Sequence, residues 1–136
     1  MANDTASLPG YAQVAIAGQN AWTWAGTTID ARALQRGSVS GRQAATWYGY
    51  SPFTVDVRLT DGAAHQVALY SVDWDIVGRS QRIDVLNADT GAVLDTRTLT
   101  GFSGGLYLVW NLSGHVTFRL TNAGPGNAVV SGLFVD

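Results

Sequence analysis

The 136-residue chain carries eight arginines, ten aspartates and two histidines, for a net charge of −2, with no lysine, glutamate or cysteine. The missing cysteines exclude disulfide frameworks and thiolate metal sites, and the missing basic surplus argues against nucleic acid as a partner. Lysine and glutamate are favoured fillers of exposed helix positions, so their absence argues against a helical protein. Sixteen glycines, five tryptophans, five tyrosines and four phenylalanines point instead to strands and tight turns. No uncharged apolar run approaches the roughly 18 residues of a membrane span, so no membrane insertion is expected. Met1-Ala2-Asn3-Asp4 lacks the charged start and apolar stretch of a signal peptide. The chain reads as one module, residues 1–136, cut from a longer protein and given an initiator methionine.

In chain order, residues 1–10 are polar and contain Pro9-Gly10, a frayed end leading into the first strand. Residues 11–17 alternate, with Ala12, Val14 and Ile16 on one face. After Gly18-Gln19-Asn20, a strand over 21–25 presents Trp22 and Trp24 on the same side. Residues 26–41 are the least regular, and DARALQR (30–36) suits either a short helical turn or a strand. Strand-like composition returns over 42–48, and Gly49-Tyr50-Ser51-Pro52 is a loop. Phe53–Leu59 (FTVDVRL) alternates apolar and polar, as a half-buried strand does.

Residues 65–87 are the centre of the chain. Apolar runs over 67–72 and 83–86 are joined by a charged stretch containing Asp73-Trp74-Asp75, Gly78, Arg79 and Arg82. Residues 87–91 (NADTG) form a hairpin loop, and Ser113-Gly114 signals a second turn between strands over 106–112 and 115–121. A last strand covers 128–135. About nine or ten short strands at this spacing predict a sandwich or barrel.

Catalytic chemistry has little to draw on. His65 and His115 sit at strand starts, and no Gly-x-Ser-x-Gly elbow supports a serine nucleophile. Asp73 and Asp75 would leave one face of a continuing strand with Cβ atoms roughly 6–7 Å apart, a spacing that suits a carboxylate pair. Hydrolase or lyase activity is nevertheless the last-ranked reading. Arginine pairing explains the charged joint without any ligand, because Arg79 and Arg82 lie within reach of both acids. A structural calcium is the alternative: it takes about six to eight oxygens, and Asp30, Asp61, Asp89 and Asp95 offer further donors. No spacing resembles an EF-hand loop, no metal position is assigned, and no other cofactor is expected.

The aromatics carry more weight. An indole or phenol face left in solvent suits the flat C–H patch of a sugar ring, with neighbouring Asp, Asn or Arg hydrogen-bonding the hydroxyls. Trp110 alternates with Leu106 and Leu108 and belongs to the core. Trp22 and Trp24 suit either core or platform, and Trp47, Tyr48 and Tyr50 bracket a strand end and a loop. Trp74 falls opposite the two acids if its strand continues, which would bury it and expose them.

Three stretches, HQVALYSVDWD, RSQRIDVLNADTGAVLD and GLYLVWNLSGHVTFRLTNAGPGNAVVSGLFVD, lie within residues 65–136. They resemble jelly-roll, galactose-binding-like carbohydrate-binding modules of secreted bacterial proteins: an inner strand, a charged connection, a hairpin, another hairpin and a closing apolar strand. The resemblance implies an all-β, two-sheet antiparallel sandwich of jelly-roll type. It further implies a non-catalytic module that holds a fused, secreted parent protein to a polysaccharide or glycan. The resembling residues are scaffold, so the ligand candidates come from the residues themselves. They are Trp22, Trp24, Trp47, Tyr48 and Tyr50 for stacking, and Asp73, Asp75 and Arg79 for hydrogen bonds. A structural or self-association module of an extracellular protein is the other reading, and the oligomeric state stays open.

Overall fold

The computed structural model describes every residue except Thr5 and Ser38. The strands in chain order are β1 (Ala12–Ala17), β2 (Asn20–Thr28), β3 (Leu34–Gln35), β4 (Arg42–Gly49), β5 (Phe53–Leu59) and β6 (His65–Ser71). They continue with β7 (Ser80–Asn87), β8 (Val93–Thr100), β9 (Leu106–Leu112), β10 (His115–Asn122), β11 (Ala128–Val130) and β12 (Gly132–Val135). One layer has the order β1-β5-β10-β7-β8. The other is formed by β11-β4-β2, with β3 added to β4, together with β12-β6-β9. Only Ser131 separates β11 from β12, and its N–H donates to Tyr70 O at 2.8 Å, so one stretch of chain serves both sheets. Every pairing among the described residues is antiparallel. From β4 onward the chain passes back and forth between the layers, giving the jelly-roll sandwich.

Period-two patterning produces this arrangement directly. Phe53, Val55, Val57 and Leu59 of β5 are buried, while Arg58 reaches solvent. Leu120, Phe118 and Val116 of β10 lie opposite Phe53, Val55 and Val57 and extend the same apolar face. Val67, Leu69, Trp110 and Val129 complete the core from the other layer. Burying such a side chain contributes about 1.5–3 kcal/mol, which makes this face the main source of stability.

Several expectations are corrected. The Ser113-Gly114 turn does not close a hairpin, because β9 pairs with β6 whereas β10 pairs with β5 and β7. Trp110 and Phe118 instead meet across the interior, with ring centroids 5.1 Å apart. Two one-sided apolar strands bury more by facing each other than by lying in one sheet. For the same reason the central apolar runs fall in different layers, β6 in one and β7 in the other. Of the two readings of residues 30–36, the strand holds at Leu34–Gln35 and the helical turn does not, because the Asp30 carboxylate accepts the Arg32 N–H at 2.9 Å and starts a local turn before β3. The N-terminus is docked rather than frayed at its first residues. Ala2 is fully buried, its N–H donates to Ser131 O at 2.9 Å, and Gln43 Nε2 donates to its carbonyl.

One buried side chain ties the layers by hydrogen bonds. Gln81 of β7 donates to Val129 O at 2.9 Å and accepts from Val129 N at 2.8 Å. Gln81→Leu is close in volume but leaves the buried Val129 N–H without that acceptor, whereas Val129 O keeps the Ser71 hydroxyl at 2.8 Å, so the cost is about 1–3 kcal/mol. Urea denaturation should therefore show a lower midpoint with an unchanged slope. An unaltered midpoint would show that the pair is not part of what joins the layers.

Candidate functional site

Asp73 organises the connection between β6 and β7. The strand ends at Ser71, so the two acids do not share a strand face as expected. Asp73 is 3% exposed and gathers donors from the loop that follows it. Oδ1 accepts from Val77 N at 3.3 Å, Oδ2 from Gly78 N at 3.0 Å and Arg79 N at 3.2 Å, and Arg79 Nη1 donates to Oδ1 at 2.7 Å. Successive N–H groups wrapped around a carboxylate form an anion nest, here closed by a charge-assisted bond. Gly78 supplies a left-handed residue (φ 81°) that this tight path requires. Burial alone would push the Asp73 carboxyl up, but the bonds from Arg79 and the loop N–H groups outweigh it and hold the group below its ordinary value.

Arg79 is consequently fixed at the floor of a groove. It is 6% exposed, bonds both Asp73 and Asp75 through Nη1, and donates from Nε to Asn127 Oδ1 at 3.0 Å. Its guanidinium lies 5.6 Å from the Trp24 ring, Trp24 stacks on Trp74 at 6.4 Å with 15° between planes, and Arg32 caps Trp74 at 4.3 Å. The result is a column of cation, indole, indole and cation. Arg32 is oriented by Asp30 (2.9 Å) and by the Ser103 carbonyl (3.0 Å). Each cation–indole contact contributes about 0.5–1 kcal/mol, and the column fixes the angle at which Trp24 faces the groove.

The groove itself encloses about 220 Å³. Trp22 and Trp24 come from β2, Thr46 and Tyr48 from β4, Tyr50 from the loop after β4, Asp75 and Arg79 from the charged loop, and Asn127 from the loop before β11. Trp22 lies opposite Thr46, and Asn20 opposite Tyr48, so these side chains share one sheet face. The register slips between Thr23 and Ala25, making Trp24 the extra residue of a bulge that re-aims its ring. Trp22 is 58% exposed and Tyr50 71%, with the Tyr48 ring edge-on to Tyr50 at 6.1 Å.

Six of the eight residues read from the sequence meet in this groove: Trp22, Trp24, Tyr48, Tyr50, Asp75 and Arg79. Trp47 does not, because its neighbour Tyr48 takes the groove face. Trp47 turns the other way, toward Val14, Ile16 and Leu133 in a separate, mainly apolar cleft of about 480 Å³. Asp73 lies beneath the floor with its oxygens engaged by protein donors. Trp74 is half-buried in the column rather than in the core, and Arg82 pairs with Asp84 rather than with Asp73 or Asp75. Thr46 and Asn127 carried no sequence signal as groove residues, one being a routine strand residue and the other the end of a glycine-rich loop. Among the described residues, no three His or Asp side chains converge as a metal ion would require. Asp30, Asp61 and Asp95 are each bonded to an Arg or His.

No protein-family model matches the sequence, and a search of curated proteins finds no match. Solved structures do show similarity. A family 61 carbohydrate-binding module, solved in complex with β-1,4-galactotriose, is 10% identical with a TM-score of 0.49, covering 93% of this chain and 88% of that one. A family 35 carbohydrate-binding module from Clostridium thermocellum is 15% identical with a TM-score of 0.44, covering 91% and 90%. An exo-β-1,3-galactanase from Phanerochaete chrysosporium, solved with β-1,3-galactotriose, is 19% identical with a TM-score of 0.44, covering 92% of this chain but 27% of the enzyme.

The charged loop makes a pH prediction. A carboxyl whose folded pKa lies below its unfolded value of about 3.8 stabilises the fold above that pH, and the contribution is lost as pH falls through the folded pKa. Asp73→Asn should cost about 3 kcal/mol at neutral pH. It should also flatten the acid limb of stability below about pH 4, read by chemical denaturation at a series of pH values. An acid limb as steep as that of the parent chain would remove Asp73 from this role.

Proposed function

We propose that this domain is a non-catalytic carbohydrate-binding module whose ligand stacks on the aromatic groove of β2 and β4. The observation that carries the reading is a preformed groove in which large aromatic rings stay in solvent beside fixed polar groups. Leaving an indole as exposed as Trp22 is unfavourable unless a partner covers it. A sugar offers both halves of what the groove presents, a C–H face for the rings and hydroxyls for Asp75, Arg79 and Asn127. Catalysis is disfavoured by the state of the acids. Asp73 is saturated with donors and Asp75 is tied to the same guanidinium, so the two do not form a free acid–base pair.

In this proposal the module works as part of a secreted or extracellular protein, as the sequence resemblance implies. It keeps a fused partner domain near a polysaccharide, where tethering turns modest single-site affinity into effective retention. Trp22→Ala should abolish retention in affinity gels containing soluble polysaccharide while leaving the thermal midpoint within error, since the ring is largely exposed. Retention of the variant equal to that of the parent chain would overturn the assignment of the groove.

A second reading, self-association, has one observation in its favour. Tyr107 and Val109 of the edge strand β9 and Phe134 of β12 are exposed on one side of their sheet, with Tyr107 and Phe134 in ring contact at 5.9 Å. That reading requires a concentration-dependent mass by light scattering, which Tyr107→Ser and Phe134→Ser together would abolish. A constant monomer mass up to high concentration would exclude it.

A further inference from the structure

The charged side chains lining the groove belong to one cluster. Asp75 and Arg79 reach the lining, and Asp73 lies beneath in contact with Arg79. Two carboxylates against one guanidinium leave this floor one negative charge in excess. The next cation along the column, Arg32, lies on the far side of Trp74 and is bound to Asp30. No unneutralised positive charge therefore faces a ligand here.

The remaining hydrogen-bonding capacity has the same character. Asp75 is 46% exposed at its side chain, its Oδ1 is taken by Arg79, and no hydrogen bond among the described residues reaches Oδ2. Asn127 must present Oδ1 to the Arg79 Nε–H, which leaves its amide Nδ2 as a donor. The Tyr48 and Tyr50 hydroxyls can donate or accept. An uncharged sugar matches this pattern: one hydroxyl donates to Asp75 Oδ2 while another accepts from Asn127. A uronate or sulfated sugar would instead set a further anion against the excess negative charge of this floor, and like charges at such short range repel.

On the carbohydrate reading of this groove given above, we infer that it selects uncharged glycans and rejects acidic ones, with Asp75 as the residue that sets the choice. The test compares matched soluble polymers, galactan with polygalacturonate and mannan with alginate, using affinity electrophoresis of the intact 136-residue chain. The ionic strength is kept at about 0.1 M, where the screening length is about 10 Å. At least one neutral polymer should retain the chain, and its acidic counterpart should do so at least about tenfold more weakly. Asp75→Asn should weaken neutral binding by about three- to tenfold and narrow the neutral-to-acidic ratio. Asp89→Asn, in the exposed loop between β7 and β8, makes the same change in net charge and should leave the ratio as it was.

Preference for the acidic member of a pair, or equal narrowing in the Asp89 variant, overturns the charge rule while the carbohydrate reading stands. Absence of binding to every polymer overturns both.

Discussion

The ion pair between Asp73 and Arg79 is the constraint on which the site depends. Asp73 closes the loop of residues 73–79 by collecting backbone N–H groups, and the same carboxylate holds the guanidinium in place. Arg79 in turn reaches Asp75, Asn127 and the face of Trp24, three groups carried on three different segments. Removing one partner of so buried a pair leaves a desolvated charge, so the loop has few alternative conformations. Rigidity at this point is what turns an aromatic surface into a preformed groove.

The aromatic residues divide into two groups with different physical duties. Trp110 fills the interior against Phe118 and satisfies its indole N–H on Asp95 at 2.7 Å, as a buried tryptophan requires. Trp22 and Tyr50 do the opposite and keep their faces in solvent. Trp24 and Trp74 lie between these cases, half-buried in a column ended by arginines that are themselves paired to aspartates. With no lysine or glutamate in the chain, the charges at the groove are arginines and aspartates in direct local contact.

Much of the fold was legible in the sequence because period two is a direct consequence of strand geometry. The segment FTVDVRL specified β5, its inward face and its bounds, and residues 106–112 specified β9. Pairing was not legible in the same way. Alternation says which side of a strand is apolar but not whether the next strand lies beside it or across from it, so the β9–β10 turn reads as a hairpin. The joint of residues 73–79 misleads for a related reason. An aspartate whose oxygens are filled by loop N–H groups can end a strand abruptly, and that backbone geometry has no residue-by-residue signature. Trp47 and Tyr48 show the limit for the site itself: adjacent strand residues point to opposite faces, and either could have been the one in the groove. Asn127 is separated from Arg79 by 48 positions in the chain, a contact that only the folded topology creates.

In the proposed function, the face holding Trp22 and Trp24 meets a sugar. Five indoles give five resolvable N–H signals in a two-dimensional nitrogen–proton spectrum of the labelled protein. Titration with a soluble neutral oligosaccharide should shift the Trp22 and Trp24 signals and leave those of Trp47 and Trp110 in place. Movement of the Trp47 signal with Trp22 and Trp24 unchanged would put the ligand on the opposite side of β4 and contradict the account.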